Sequence, residues 1–183
     1  MAAHPVFTRA LQRTHPNISL SQEGSSTLRA SSGERYFIKI GSLREIDQYV
    51  GEAESLKAIN IAAPGLAPTL IDFGIIDKDS KRQESDVGKP YFISEFKDMG
   101  SLSTPAAKML GERLATEMHA YKSPNGKFGF HVPTYCGATK QDNGWFATWT
   151  ECFDALIGGL VDKLKAQGGY DALCQQASQV RRR

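Results

Sequence analysis

Lys39 stands in the segment Phe37-Ile38-Lys39-Ile40, an ammonium set within an apolar run. Taking such a charge out of water is costly unless a partner compensates it. Read alone, Lys39 is equally an edge-strand lysine that faces solvent. The segment that follows changes the balance. Wound at about 100° per residue, Ile46, Tyr49, Val50, Ala53, Leu56 and Ile59 form one broad apolar arc of a helix. Glu52 falls inside that arc, between the directions of Leu56 and Ile59, whereas Glu54 falls outside it, toward water. A carboxylate on the buried side of a helix, just after a strand carrying a buried lysine, makes an ion pair. The lysine of such a pair can hold phosphate oxygens while the glutamate holds the lysine.

Two further segments fit nucleotide chemistry. Gln22-Glu23-Gly24-Ser25-Ser26 lies between two expected strands. A hairpin of Gly24, Ser25 and Ser26 could lay backbone N–H groups over phosphates. It is no Walker A loop, because GxxxxGK[ST] does not occur. Phe92-Ile93-Ser94-Glu95-Phe96 ends an apolar strand and leads into a linker, where the backbone of Ser94, Glu95 and Phe96 could meet an adenine edge. The expected cofactor-binding set is therefore Lys39, Glu52, Gly24, Ser25, Ser26, Ser94, Glu95 and Phe96.

No catalytic residue and no metal ligand is assigned. Asp98-Met99-Gly100 imitates a metal-binding Asp-Phe-Gly triplet, but it precedes any place for a catalytic loop and reads as a linker turn. None of His4, His15, His119 and His131 stands in His-Gly-Asp or His-Arg-Asp. His119 closes a helical pattern and is expected to be packed or hydrogen-bonded rather than catalytic. HExxH and GxSxG are absent, so zinc-hydrolase and serine-hydrolase chemistry lack support.

These residues need elements to position them. Val6, Phe7, Ala10 and Leu11 share one face of a first helix, stopped by Pro16. Ser19–Lys39 is rich in strand signals, with a turn at Ser31-Ser32-Gly33 and a buried strand over Tyr36–Ile40. A helix runs from Ser42 to about Asn60, and Ala63-Pro64-Gly65 turns the chain. Strands follow at Pro68–Ile76 and Tyr91–Phe96, separated by a polar loop over Asp77–Gly88. Asp98–Pro105 is a linker, and helices are expected over Ala106–Tyr121, Phe153–Gln167 and Tyr170–Val180. Runs of strands interrupted by one helix point to an α+β fold rather than a doubly wound sheet.

Composition sets the outer bounds. The 183 residues carry 22 Lys+Arg against 20 Asp+Glu, a formal charge of +2 too balanced to argue for nucleic acid. No apolar run reaches membrane-spanning length. Cys136, Cys152 and Cys174 are odd in number and widely spaced, as reduced thiols of an intracellular protein would be, and no CxxC pair suggests zinc. A cytoplasmic location is expected. The acid-free first 22 residues leave a mitochondrial transit peptide as the lesser reading.

Several segments resemble one family. Gly51-Glu52-Ala53-Glu54-Ser55-Leu56 is similar to a helix motif of the fructosamine-3-kinases and protein-ribulosamine 3-kinases. Leu110–His119 is similar to their first large-lobe helix. The most specific match is Lys127-Phe128-Gly129-Phe130-His131-Val132-Pro133-Thr134-Tyr135-Cys136-Gly137, continuing through Gln141, Asn143, Trp145, Trp149 and Phe153. The likeness runs from about Ser19 to Lys165. It argues against an aminoglycoside or choline kinase relative.

The resemblance implies a protein kinase-like fold in three parts: a small lobe of antiparallel sheet plus helix over 1–96, a hinge over 97–105, and a partial helical large lobe over 106–183. It implies ATP with Mg2+, and phosphorylation of the 3-hydroxyl of ketosamines on glycated protein lysines, the first step of deglycation. Lys39 would bind phosphate, Glu52 would orient it, and Ser94, Glu95 and Phe96 would line the adenine. The family's His-Gly-Asp segment and later metal aspartate have no counterpart in these residues, so the chain is expected to stop before the catalytic loop. The alternative is a non-catalytic nucleotide- or partner-binding module derived from the family. With a large lobe incomplete, Leu156, Ile157, Leu160, Val161 and Leu164 are expected to stay accessible and to drive self-association.

Overall fold

In the computed structural model, which describes residues 2–78 and 84–181, an antiparallel sheet takes its shape from the alternation of its central strand. The strands are β1 (Leu20–Gln22), β2 (Thr27–Ala30), β3 (Arg35–Ile40), β4 (Leu70–Ile75) and β5 (Pro90–Glu95), in the order β1-β2-β3-β5-β4. Successive side chains of a strand point to opposite faces. Tyr36 and Ile38 of β3 and Tyr91 and Ile93 of β5 therefore face one way, into a cluster with Leu28 and Ile76. Phe37 and Phe92 face the other way, toward Tyr49 and Ala53.

Each face is closed by a helix. On the first, α1 (Pro5–Gln12) inserts Val6, Phe7, Ala10 and Leu11, so the four residues expected on one helical face are the four buried ones. On the second lies α2 (Ile46–Ala62), preceded by a 3-10 turn over Leu43–Glu45. The buried line of α2 is narrower than the sequence arc. Tyr49 and Ala53 are buried, while Ile46, Val50, Leu56 and Ile59 are half-buried. Glu54 departs from expectation too. It is half-buried rather than turned to water, because Lys57 pairs with it at 2.7 Å and lies 4.8 Å from the centroid of the Phe73 ring.

The N-terminus of α1 makes a testable electrostatic feature. His4 caps the helix, its Nδ1 accepting from the Val6 N–H at 3.2 Å. Its buried Nε2 lies 3.6 Å from Asp86 Oδ2 and has no hydrogen-bond partner among the described residues. Burial is the main force holding the imidazole below its ordinary pKa of 6.5, with Arg9 adding to it and Asp86 opposing. A histidine buried neutral binds its proton more weakly folded than unfolded, so stability falls as pH drops through 6.5 and levels off below the folded pKa. We expect His4→Asn, which keeps a capping oxygen, to lose less stability than the parent between neutral pH and about pH 5. Urea melts at the two pH values check this; equal losses would remove His4 from the account.

After β5 the chain forms α3 (Thr104–Arg113), capped by Ser103, whose Oγ accepts from the Ala106 N–H at 3.4 Å. The helix expected to run on to Tyr121 instead widens to a π turn over Leu114–Met118. There the Thr116 hydroxyl donates to the Glu112 carbonyl at 2.8 Å, competing with the regular backbone partner, and the His119 N–H reaches back to the Leu114 carbonyl at 2.9 Å. Arg113 ties this turn down, gripping Glu117 at 2.7 Å and the Pro64 carbonyl at 2.8 Å. Of the two positions expected of His119, packed or hydrogen-bonded, the first is not met, since its side chain is exposed.

Contacts divide the chain into residues 1–121 and 122–183. The second unit contains four short strands that sequence periodicity does not announce: β6 (Phe128–Gly129), β7 (Thr134–Cys136), β8 (Thr139–Gln141) and β9 (Trp145–Phe146). Two- and three-residue strands are too short to show an alternation. β6 pairs with β9, and Gly129 there has φ +129 with the Gly144 carbonyl where a Cβ would be, so no other residue fits. Thr148 and Glu151 form a reciprocal capping box for α4 (Trp149–Gln167), at 3.2 and 3.1 Å. α5 (Asp171–Arg181) returns along α4, and Cys174 approaches the Val161 carbonyl at 3.8 Å. As a result Val161 is buried and Leu156, Ile157, Leu160 and Leu164 are half-buried, not open as expected. Among the described residues, the large apolar side chains exposed in this unit are instead Phe128, Trp149 and Phe153, with Tyr170 and Leu173.

Candidate nucleotide-binding site

Lys39 leaves β3 on the α2 face of the sheet, and its ammonium pairs with the Glu52 carboxylate. The pair is not deeply buried: the Lys39 side chain is 26% exposed and that of Glu52 38%. It therefore sits at the rim of the core, where an approaching ligand can still reach the ammonium.

Two rings that the sequence reading did not single out complete the surroundings of Lys39. Its Nζ lies 4.5 Å from the centroid of Tyr49 and 5.0 Å from that of Phe92. Phe92 is the cross-strand partner of Lys39 in the β3–β5 ladder, and Tyr49 precedes Glu52 by one helical turn on α2. Burial, followed by the nearby charges of Glu45 and Glu52, pushes the Tyr49 phenol up to about 12, so it stays neutral. The register of β3 with β5 would have located Phe92, but no sequence pattern states that register.

The other expected residues lie on the same sheet. Gly24, Ser25 and Ser26 form the turn between β1 and β2, and the Ser26 carbonyl accepts from the Ile38 N–H at 2.9 Å, one residue before Lys39. The Gln22 side-chain amide closes the turn onto the Gly24 carbonyl at 2.9 Å. A Cβ built on Gly24 would meet nothing within 4 Å, so internal packing does not call for a glycine there.

Ser94 is buried opposite Phe37, and its hydroxyl donates to the Glu95 carbonyl at 3.3 Å. Glu95 is committed to the fold. Its N–H donates to the Thr69 carbonyl at 2.8 Å, and its carboxylate takes the Thr69 N–H at 3.2 Å and Lys97 at 2.5 Å. Lys97 first, then the Thr69 N–H, hold that carboxyl below the usual carboxylate range. The Phe96 ring lies under the Arg35 guanidinium at 4.2 Å, and Arg35 also holds Asp98 at 3.0 Å. Asp98 is thus engaged as a linker residue, beside a Met99 that is 88% exposed.

The structure brings Lys39 and Glu52 into contact. It sets the Gly24–Ser26 turn beside Ile38 on one edge of β3 and Ser94 opposite Phe37 on the other edge. Among the described residues no group of three or more His, Cys, Asp or Glu side chains could hold a metal ion.

Comparison with known proteins matches the chain to one family. The model of the fructosamine kinase family matches residues 17–182. The chain is 34% identical over 97 residues to the chloroplastic protein-ribulosamine 3-kinase of Arabidopsis thaliana, covering 52% of this chain and 29% of that protein. It is 26% identical over 140 residues to a probable ketoamine kinase of Staphylococcus aureus, covering 76% of this chain and 44% of that one. The chain thus spans less than half the length of these relatives.

A solved structure of a candidate fructosamine-3-kinase from Haemophilus somnus superposes with a TM-score of 0.65 at 16% identity, over 94% of this chain and 59% of that one. A second, from Thermobifida fusca, gives 0.55 at 19% identity, over 84% of this chain and 51% of that one. These two establish the mixed α/β kinase-like fold with its antiparallel sheet. With the family model covering nearly its whole length, the chain belongs to the fructosamine kinase family.

Proposed function

We propose that this chain forms the nucleotide-holding part of an ATP-dependent ketosamine 3-kinase acting on glycated protein lysines. The observation that carries the reading is the Lys39–Glu52 pair, set at the rim of the core in the segment the family model matches. Lys39 would hold ATP phosphates, Glu52 would keep it oriented, Gly24, Ser25 and Ser26 would cover the phosphates, and Ser94, Glu95 and Phe96 would line the adenine. The open space around Gly24 supports its part, since a backbone without a side chain admits close approach. Mg2+, when bound with ATP, would neutralise charge on the phosphates. The hydroxyl oxygen of the sugar bonds to the terminal phosphorus, ADP leaves, and the hydroxyl proton passes to a base. The division at 97–105 into small lobe, hinge and helical lobe belongs to this proposal. So does a cytoplasmic location, supported by the apolar face of α1, which is packed in the core.

A non-catalytic nucleotide- or partner-binding module is the second reading.

Titration with a fluorescent ADP analogue in the presence of Mg2+ tests the nucleotide binding that a ketosamine 3-kinase and a non-catalytic nucleotide-binding module would share. We expect Lys39→Met to weaken binding by about 10- to 100-fold, the worth of one hydrogen bond to a charged group. Equal affinity in parent and variant would remove Lys39 from the site.

A further inference from the structure

We infer that Tyr49, together with Phe92, is a positioning residue for Lys39: the two rings hold its ammonium in place without neutralising it. The inference rests on the proposed phosphate-binding role of Lys39, but its geometry stands independently. A lysine side chain has a long, rotamer-rich stem, and one carboxylate contact leaves that stem free to swing. Here the ammonium is confined from three sides, by Glu52, by the Tyr49 ring at 4.5 Å and by the Phe92 ring at 5.0 Å.

The three contacts are not equivalent. A carboxylate takes an N–H donor and cancels the charge. An aromatic face attracts the cation through its quadrupole and leaves net charge in place. Replacing either ring by a second acidic residue would hold Lys39 as well but would compete with a phosphate for it. With rings on two sides in place of a second carboxylate, the N–H donors not taken by Glu52 are left for an anion arriving from the exposed side.

The rings are themselves immobilised. Tyr49 is 6% exposed and Phe92 1%, and both belong to the cluster built on Ala53. Gly41, two residues after Lys39, is where the Tyr49 ring is seated: a Cβ there would stand 2.8 Å from Tyr49 Cε2 and Cζ and 3.0 Å from Pro90 Cγ. The close approach explains a glycine at a position whose φ is not positive. Gly41, Tyr49, Phe92 and Glu52 thus act as one support whose product is the position of a single ammonium.

The test uses the 183-residue chain with two readouts. Lysine ε-carbon NMR, assigned through Lys39→Arg, reports the ring-current shift of Lys39 with or without nucleotide. Titration with a fluorescent ADP analogue and Mg2+ reports affinity. Tyr49→Leu should abolish the upfield shift contributed by Tyr49 and weaken binding about three- to tenfold, as expected for a partly desolvated cation–π contact. Tyr49→Phe should restore both, because it keeps the aromatic face. If Tyr49→Leu does not fold, Phe92→Leu carries the same readouts from the other ring. An unchanged Lys39 signal in the leucine variant overturns the inference. So does full affinity in a folded leucine variant that has lost the shift. If the parent binds no nucleotide yet its Lys39 signal depends on Tyr49, the positioning stands and the nucleotide reading fails.

Discussion

The 183-residue chain, incubated with MgATP and a ribulosyl- or fructosyl-lysine peptide, is expected to give no turnover above a boiled control. Phosphoryl transfer requires more than a positioned nucleotide. Its attacking hydroxyl must lose a proton to a general base, and the charge on the transferring group must be balanced by metal ions held on acidic side chains. General-base help alone contributes about 100- to 10,000-fold. These residues contain no His-Gly-Asp or His-Arg-Asp segment, and no described cluster has the composition of a metal site. Lys39 and Glu52 are taken up by each other, so neither serves as that base. Measured by release of ADP and by mass of the peptide, turnover that disappears on Lys39→Ala would show that a carboxylate within these residues does the work.

The largest expected effect on stability falls on Phe92. Its side chain is 1% exposed, lies at the centre of the α2 face with Tyr49 and Ala53, and sits on the strand that joins β3 to β4. Removing a buried phenyl ring loses its transfer free energy and leaves a cavity between sheet and helix, a cost of about 3–5 kcal/mol for Phe→Ala. A domain of ordinary stability has only about 5–15 kcal/mol in total, so Phe92→Ala should bring the first unit to the edge of unfolding at room temperature. Met99→Ala serves as the contrast. At 88% exposure it should change stability by no more than about 0.5 kcal/mol. Urea denaturation of the three proteins, followed by circular dichroism, decides the matter. A Phe92→Ala midpoint indistinguishable from that of Met99→Ala would mean that the α2 face contributes little to holding the sheet.

Much of this protein is legible in its residues because the signals are local. The apolar face of α1 is periodic, and Val6, Phe7, Ala10 and Leu11 are the residues it buries. The apolar run around Lys39 and the helix that follows predict a lysine–glutamate pair from two short segments, and the pair forms. The specific aromatic stretch from Phe128 to Phe153 identifies the family, whose model matches residues 17–182. The first two follow from side-chain chemistry at fixed short spacings, and the third from resemblance to a known family.

What only the tertiary structure decides depends on register and on long-range packing. Lys39 meets Phe92 because β3 pairs with β5 antiparallel, across a loop and a whole helix, and a slip of one residue would have put Ile93 opposite it. Tyr49 lies under the same ammonium because Gly41 leaves it room, a relation between a loop and a helix that no periodicity encodes. The coverage of Val161 and its neighbours is set by α5 returning along α4, and the helix expected to reach Tyr121 widens where the Thr116 hydroxyl takes a backbone acceptor. Sequence determines which residues can form a charged pair and which faces seek burial. The fold determines what surrounds that pair, since two rings distant along the chain become its neighbours only when the sheet and helix close.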